Sequence, residues 1–235
     1  MRLPSATVTF TTRRGGVSDG PYESLNLGFL TDDDPDHVRA NRRIAAGMAG
    51  VEAEQITMGW QVHGADIRDW TGDAPDPGYA DPGGRDLDKL DGHITRDAGI
   101  GLIVMVADCY PVALSDGEQV AVLHCGWRPL AGGIVEKALE RFAGTPAAAV
   151  GPGIGGCCYE VGEEVLEAFA DVDGAADGRM LDLRRVIAAK LAAAGVTDVQ
   201  HDDHCTSCEP ELYFSHRRDN GVTGRQAGII VRDGR

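Results

Sequence analysis

Runs of hydrophobic residues mark the strands of this chain. The longest is GIGLIVMVADC at residues 99–109, which is nearly continuous and of strand length. Such a run predicts a central strand that is buried on both faces. The segments ATVTF at 6–10 and RQAGIIVR at 225–232 predict strands near the two ends of the chain. Two further apolar runs flank Asp116–Gly117, a dipeptide that favours a β-hairpin.

Amphipathic segments between these runs predict helices. One begins at Asp34, which suits the N-cap, is followed by Pro35 at the first helical position, and ends near Gly50. Because strands and helices are interspersed, we expect an α+β fold of mixed β-sheets flanked by helices, formed by a single domain over residues 1–235. The other predicted helices lie in residues 131–144, 161–172 and 182–195, and the Pro/Gly-rich residues 71–90 predict a loop.

The charge balance limits the partners that the chain can have. It has 37 acidic and 22 basic residues in 235, a formal net charge of −15. This charge argues against binding to nucleic acid or to an anionic membrane surface, and an anionic substrate would need a local basic pocket. With no apolar stretch of membrane-spanning length and no signal-peptide core, we expect a cytoplasmic protein whose six cysteines are reduced.

The predicted hairpin carries a cysteine and a histidine. A two-residue turn at Asp116–Gly117 would place Cys109 directly opposite His124. Opposed residues on one face of an antiparallel pair hold their Cβ atoms about 5 Å apart, close enough for a thiolate and an imidazole to bind one metal ion. The hairpin therefore predicts part of a metal site.

His63, in a loop after a predicted strand, is a candidate third ligand. Two imidazoles and one thiolate suit zinc and leave a fourth position open, which is typical of catalytic zinc sites. The same ligands suit copper, although the seven histidines contain no His-x-His pair, which argues against a multicopper oxidase. In a metal-free alternative, Cys109 is a nucleophile with His124 as its base, and Asp108 supports the backbone nearby.

Three other motifs allow a chemical interpretation. HDDHCTSC at 201–208 contains Cys-x-x-Cys and suggests a second metal or redox site, but no second cysteine pair at standard spacing is obvious. GPGIGG at 151–156 matches Gly-x-Gly-x-x-Gly, and we interpret it as a tight turn close to the active site. The arginines in TTRRGGVS and FSHRRDNGVTGRQAG could form the basic pocket for an anion.

Several blocks together resemble one family and cover nearly the whole chain. They are TTRRGGVSDGPYESLNLG, DDPDHVRANRR, QVHGADI, VMVADCYPV, LHCGWR, GPGIGGCCYEVG, CTSCEPELYFSHRRD and TGRQAG. The sequence resembles the YfiH family, also called the laccase-domain or polyphenol-oxidase family. This resemblance implies mixed sheets flanked by helices and a zinc site formed by His63, Cys109 and His124.

The resemblance also implies an activity. It points to a zinc-dependent purine nucleoside phosphorylase acting on inosine, guanosine, adenosine or methylthioadenosine, with adenosine deamination as a side activity. The alternatives are a copper-dependent polyphenol oxidase and a Cys-His hydrolase that edits peptidoglycan precursors. The expected partners are a small-molecule nucleoside and phosphate.

Roles follow for individual residues under this hypothesis. We expect Cys109, His124 and Arg128 to act in catalysis, although Pro129 replaces the glycine that usually follows Arg128 in the family. Arg13 and Arg217, together with Arg128, are expected to bind phosphate, and Asn26 is expected to hydrogen-bond the ribose or the base.

Overall fold

The computed structural model describes residues 1–72, 78–80 and 87–234, and over these residues it forms thirteen strands and five α-helices. The strands are β1 (Arg2–Leu3), β2 (Ala6–Phe10), β3 (Ile56–Thr57), β4 (Ile67–Trp70), β5 (Gly92–Thr95), β6 (Gly101–Val106), β7 (Tyr110–Ser115), β8 (Val120–Cys125), β9 (Ala147–Val150), β10 (Ala176–Asp177), β11 (Met180–Leu181), β12 (Val199–His201) and β13 (Gln226–Arg232). The helices are α1 (Pro35–Met48), α2 (Trp127–Ala131), α3 (Ile134–Leu139), α4 (Glu163–Glu167) and α5 (Leu183–Ala193).

The strands form two large sheets. The first sheet has the order β1-β2-β13-β6-β3 and the second has the order β12-β9-β7-β8-β5-β4, while β10 and β11 form a small ribbon. Both large sheets are mixed: β3 runs parallel to β6 in the first, and β12 runs parallel to β9 in the second. The remaining pairs of the first sheet are antiparallel.

The two sheets pack face to face and bury a shared core. Val8, Leu102 and Ile230 from the first sheet share one apolar cluster with Ala113 and Val122 from the second. The helices cover the outer faces. Helix α1 packs on the first sheet, and α2, α3 and α5 pack on the second. The predicted class, mixed sheets flanked by helices, is therefore confirmed, and its layers run helix, sheet, sheet, helix.

Local sequence signals explain several of these elements. Asp34 caps α1 by accepting a hydrogen bond from the backbone N–H of Asp36, and Pro35 is the first helical residue, as predicted. Strand β6 is almost wholly buried because one face packs against the second sheet, through Leu102, and the other packs against α1, through Ile103. The helix predicted within 161–172 is shorter than expected and spans only Glu163–Glu167. None of the helices in the described residues is both long enough and apolar enough to span a membrane.

The predicted register of the β7–β8 hairpin is wrong. Ser115 pairs with Val120, so residues 116–119 form a four-residue loop in place of a two-residue turn. The longer loop closes because the Asp116 carboxylate accepts hydrogen bonds from the backbone N–H groups of Glu118 and Gln119. His124 consequently faces Pro111 across the ladder, and Cys109 lies just before β7. Of the loop predicted over 71–90, residues 73–77 and 81–86 lie outside the described residues.

Candidate metal centre and substrate cavity

Three side chains from separate parts of the chain meet at the end of the second sheet. The ligand atoms of His63, Cys109 and His124 all lie within 4.8 Å of one another. The Cys109 Sγ is 3.9 Å from the His63 Nε2, and the two imidazole ring centres are 4.7 Å apart. The three residues come together although the predicted hairpin register is wrong. Cys109 lies just before β7, so its position does not depend on the pairing of β7 with β8.

A buried carboxylate shapes the loop that carries His63. Asp91, which has no solvent exposure, accepts hydrogen bonds from the backbone N–H groups of Val62, His63 and Gly64 at 3.1, 3.0 and 2.7 Å. His63 has a positive φ of 58°, a conformation that non-glycine residues adopt rarely and that needs support from the surrounding structure. Asp91 supplies that support through three consecutive backbone groups.

The same carboxylate orients His124. Its Oδ1 lies 2.7 Å from the His124 Nδ1, and the backbone N–H of His124 donates to the carbonyl oxygen of Asp91 at 2.8 Å. Because an ionised carboxylate can only accept, Nδ1 donates its proton to Asp91, and Nε2 is the nitrogen left for a metal ion. Desolvation opposes the charge on His124, but the thiolate of Cys109 and the hydrogen bond to Asp91 outweigh it and raise the pKa of His124 to about 9, so a metal ion would displace the Nε2 proton on binding. This carboxylate–histidine arrangement is common behind metal-binding imidazoles.

The electrostatics favour the metal-binding form of the thiol. Desolvation alone would raise the pKa of Cys109, but the charge of His124 and hydrogen bonds from both histidines outweigh it and lower that pKa to about 6. Desolvation would likewise raise the pKa of Asp91, but the hydrogen bond with His124 and the backbone N–H groups hold it below its usual value. The site therefore presents a thiolate, supported by an ionised carboxylate behind it.

Gly126 leaves room for the Cys109 sulfur. A Cβ at position 126 would lie 2.8 Å from Cys109 Sγ and 3.4 Å from the His63 ring. Since real Cβ contacts are not that short, any larger residue would push the thiol away from the histidines. The glycine of the LHCGWR block is thus explained by packing against the candidate ligand.

The three ligands lie in the wall of a cavity of about 500 Å³, which is within the range of small-molecule sites. Four arginines also line it: Arg42, Arg128, Arg217 and Arg225. Among the described lining residues, Asp108 is the single carboxylate. A protein of strongly negative net charge therefore has a cavity with an excess of positive side chains, as an anionic substrate would require.

Two of the predicted site arginines line this cavity. The guanidinium of Arg128 stacks over the Trp127 ring at 4.3 Å. The guanidinium of Arg217 lies 5.1 Å from the Tyr159 ring centre and donates to the carbonyl oxygen of Glu160. Arg217 is also fixed at its backbone, because its N–H donates to the Asp108 carboxylate at 2.7 Å.

Arg13 and Asn26 are placed differently. The Arg13 guanidinium stacks on the Phe214 ring at 4.7 Å and donates to two backbone carbonyls, and it is not among the described residues that line the cavity. Asn26 is fully buried, and its Oδ1 accepts hydrogen bonds from the backbone N–H groups of Gly28 and Arg225. Both of those residues line the cavity, so Asn26 shapes its wall from behind.

The remaining sequence hypotheses fall near the cavity. Asp108 takes a supporting role, as expected, because its carboxylate accepts from Thr206 and Arg217. Ile154, inside the Gly-x-Gly-x-x-Gly motif, donates its N–H to the Asp108 carbonyl and lines the cavity, so the motif is a close backbone turn beside the site. Arg225, one of the arginines of FSHRRDNGVTGRQAG that could form a basic pocket, does line the cavity. Asp91 and Arg42 could not be identified from the sequence, since an isolated aspartate or arginine gives no local signal.

Comparison with known proteins places this architecture among relatives that share it along their length. Residues 7–233 match the family model described as multi-copper polyphenol oxidoreductase laccase. The chain is 38% identical over 233 residues to "Purine nucleoside phosphorylase YfiH" of Escherichia coli, covering 94% of this chain and 91% of that protein. It is 39% identical over 238 residues to "Purine nucleoside phosphorylase SCO2081" of Streptomyces coelicolor, covering 95% and 94%.

Solved structures agree with the sequence relatives. The crystal structure of YlmD from Geobacillus stearothermophilus superposes with a TM-score of 0.90 at 35% identity and covers 98% of this chain and 93% of that one. A Bacillus licheniformis hypothetical protein YfiH gives a TM-score of 0.89 at 31% identity, covering 96% and 92%. With the fold, the order of the motifs and nearly the whole length in agreement, this chain belongs to the laccase-like YfiH family.

Proposed function

We propose that this protein is a zinc-dependent purine nucleoside phosphorylase, acting on inosine, guanosine, adenosine or methylthioadenosine, with adenosine deamination as a side activity. The observation that carries the proposal is a His/Cys/His cluster in the wall of a cavity lined by four arginines. The curated relatives named purine nucleoside phosphorylase give the substrate class. The proposal extends to a single catalytic domain over residues 1–235, located in the cytoplasm.

The donor set fits zinc. Two imidazoles and a thiolate of lowered pKa are ligands that zinc prefers, and Asp91 holds His124 in the tautomer that binding needs. Zinc bound there by His63, Cys109 and His124 would act as a Lewis acid with one position open to water or substrate. Copper accepts the same donors and is the alternative cofactor.

The arginines suit the second substrate, phosphate. Phosphorolysis forms a bond between a phosphate oxygen and C1′ of the ribose, breaks the bond between C1′ and the purine nitrogen, and leaves the electron pair on the base. Arg128 and Arg217 line the cavity, and a planar guanidinium group can bind phosphate oxygens in pairs and hold them for attack. Both are steadied by an aromatic ring, which limits the entropy lost on binding.

Aromatic and apolar side chains supply a surface for the base. Phe29, Trp60, Trp127 and Tyr159 all line the cavity beside the arginines. A purine is flat and largely apolar on its faces, so it is suited to stacking on such rings. The combination of aromatic walls with cationic groups matches a nucleoside and phosphate better than it matches a peptide.

The proposal predicts that release of hypoxanthine from inosine needs both phosphate and metal. We expect release by zinc-loaded protein with phosphate, little without it, and none after the metal is removed with a chelator, with recovery when zinc is restored. Release can be followed by chromatography, together with the ribose 1-phosphate formed. Release that is independent of phosphate would indicate a hydrolase and would contradict phosphorolysis.

The same preparations distinguish the alternatives. Adenosine converted to inosine without phosphate supports the deaminase side activity, whereas adenine formed only with phosphate supports phosphorolysis alone. Oxygen consumption with a phenol that requires copper would favour the polyphenol oxidase. Cleavage of peptidoglycan precursors by metal-free protein, lost on Cys109→Ala, would favour the Cys-His hydrolase.

Replacing Arg217 tests the phosphate site. We expect Arg217→Ala to raise the KM for phosphate by about tenfold or more, since a hydrogen bond to a charged group contributes about 1.5–3 kcal/mol. Arg217→Lys should recover part of the loss, because it keeps the charge but not the paired donors. The matched control is Arg14→Ala, an exposed arginine that donates to the backbone carbonyl of Glu211.

If Arg217→Ala had an unchanged KM for phosphate and a normal KM for inosine, Arg217 would not be a phosphate-binding residue. The prediction that Arg13 also binds phosphate is checked by the same measurement on Arg13→Ala.

A further inference from the structure

Four of the six cysteines lie together outside the candidate metal centre. They are Cys157, Cys158, Cys205 and Cys208, which we call the cysteine cluster, and their sulfur atoms all lie within 4.8 Å of one another. The Cys208 Sγ is 3.4 Å from that of Cys158 and 3.6 Å from that of Cys157, and the Cys157 Sγ is 3.7 Å from that of Cys205. The Cys-x-x-Cys pair thus has a partner pair, the adjacent cysteines that follow the glycine-rich turn.

Two turns bring the pairs together. Gly153 and Cys205 form an isolated parallel bridge, and the backbone N–H of Thr206 donates to the Gly153 carbonyl at 3.0 Å. After the bridge, the chain turns at 205–208, where the N–H of Cys208 donates to the Cys205 carbonyl. The segment that contains Gly153 turns at 155–158 in the same way, with the Cys158 N–H donating to the Gly155 carbonyl. Each turn directs its cysteines to the same point.

The spacing of the sulfur atoms favours a metal ion over disulfides. A tetrahedral zinc ion with four thiolates at about 2.3 Å requires sulfur atoms about 3.8 Å apart. A disulfide requires a separation of about 2.05 Å. Three of the six sulfur–sulfur separations, at 3.4–3.7 Å, are close to the first value, and all six lie within 4.8 Å. Cys208 is also near two sulfur atoms at once, which suits a shared ion better than separate pairs.

The surroundings suit a bound thiolate. The backbone N–H of Gly155 donates to the Cys205 Sγ at 3.2 Å, a contact that stabilises the anionic form of sulfur. A Cβ at position 155 would lie 3.2 Å from the Cys157 Sγ and 3.4 Å from the Cys205 Sγ. Cys205 is buried, whereas Cys157 and Cys208 are exposed and give an ion access from solvent.

We propose that the cysteine cluster binds a structural Zn²⁺ ion through its four thiolates, separately from the His63/Cys109/His124 centre. Binding forms four zinc–sulfur bonds, and each thiol that is protonated releases its proton to solvent. With all four positions taken by protein, this ion is a structural one and has no position for substrate.

A zinc ion in the cysteine cluster would link the turns at 155–158 and 205–208, which adjoin the wall of the cavity. Next to Cys205, Thr206 donates its hydroxyl to the Asp108 carboxylate at 2.7 Å, and the same carboxylate accepts from the N–H of Arg217. Ile154 and Tyr159, which flank the other turn, line the cavity. A metal that joins the turns therefore fixes the wall that carries Arg217.

Zinc content tests the proposal. Full-length protein is prepared under reducing conditions with zinc, freed of loosely bound metal and analysed by mass spectrometry for metal per chain. We expect the Cys157→Ser/Cys208→Ser variant to hold one zinc ion fewer than the wild type, and Ser207→Ala, the matched control inside the turn, to hold as much as the wild type. His124→Ala isolates the cluster, and X-ray absorption should show its remaining zinc with sulfur neighbours alone, at about 2.3 Å.

Other outcomes would overturn the proposal. Equal zinc in the wild type and the double cysteine variant would do so, as would nitrogen neighbours around the zinc left in His124→Ala. A wild-type mass under reducing conditions that is lighter by two hydrogens for each disulfide would assign the cluster to disulfide chemistry. If the double variant does not fold, cobalt-loaded His124→Ala decides the question, because four thiolates give intense visible and charge-transfer bands, and their absence would refute the site.

Discussion

Asp91→Ala is expected to weaken metal binding at the His63/Cys109/His124 centre and to remove the activity that depends on it. Loss of a carboxylate that orients a metal-binding imidazole typically lowers metal affinity by about 10–100-fold. Here the effect should reach or exceed the upper end of that range, because the same carboxylate also accepts three backbone hydrogen bonds from the loop of His63. One substitution thus disturbs two of the three ligands.

One variant separates the charge of Asp91 from its shape, and a second serves as a control. Asp91→Asn keeps the shape and one acceptor oxygen but removes the charge, so we expect affinity between those of the wild type and Asp91→Ala. Asp66→Ala is the matched control. It removes an exposed carboxylate but keeps the backbone carbonyl of residue 66, which accepts from the N–H of Asp91, so it should leave zinc binding unchanged. Competition with a coloured chelator gives the zinc affinity. The proposed inosine phosphorolysis is measured at a zinc concentration that just fills the wild-type site, so that weaker binding appears as lost activity. Wild-type affinity in Asp91→Ala would show that the histidines are positioned without it.

The parts of the fold that the sequence could predict are those determined locally. Strand β6 follows from an unbroken apolar run, and α1 follows from the capping residue Asp34 and from Pro35. The three candidate ligands could be named because they lie in sequence blocks that resemble one family. The hairpin register could not be predicted, because the Asp116 side chain closes a longer loop in place of the tight turn that Asp-Gly favours.

The missed features depend on contacts between distant segments. Asp91 becomes important because β5 pairs with β8 and so places its carboxylate beside His124. The sequence indicates one half of the cysteine cluster, the Cys-x-x-Cys pair Cys205 and Cys208. The other half, Cys157 and Cys158, is an adjacent pair that does not have the spacing of common zinc motifs. The bridge between Gly153 and Cys205 joins the two pairs across about fifty residues, and nothing local in the sequence indicates it.

Arg42→Ala is expected to lower the free energy of unfolding by about 2–5 kcal/mol, the largest stability effect that we predict. Arg42 is 1% exposed, and its guanidinium donates to the carbonyl oxygens of Leu27 at 2.9 Å and Tyr79 at 2.8 Å. Its charge also lies 4.6 Å from the Phe29 ring centre. Removing the side chain leaves two carbonyls without their donor and opens a cavity between α1 and the wall of the site.

The cost of burying this charge sets the size of the effect. Burial lowers the pKa of Arg42 to about 10, so part of the free energy of its hydrogen bonds is spent on desolvation. Arg42→Met separates the two contributions, because methionine fills much of the volume without a charge or a donor. We therefore expect Arg42→Met to be destabilised less than Arg42→Ala but more than Arg43→Ala, the control with an exposed arginine on the same helix.

Urea unfolding followed by circular dichroism measures these differences on the metal-loaded protein, with zinc held constant so that metal binding does not change the comparison. If Arg42→Met were as stable as the wild type, the guanidinium hydrogen bonds would make no net contribution to folding. Arg42 would then be retained for its charge, which lies in the wall of the cavity together with Arg128, Arg217 and Arg225. A raised KM for phosphate in a fully stable Arg42→Met would assign it to the anion site, whereas a loss of stability with normal phosphate binding would assign it to the fold.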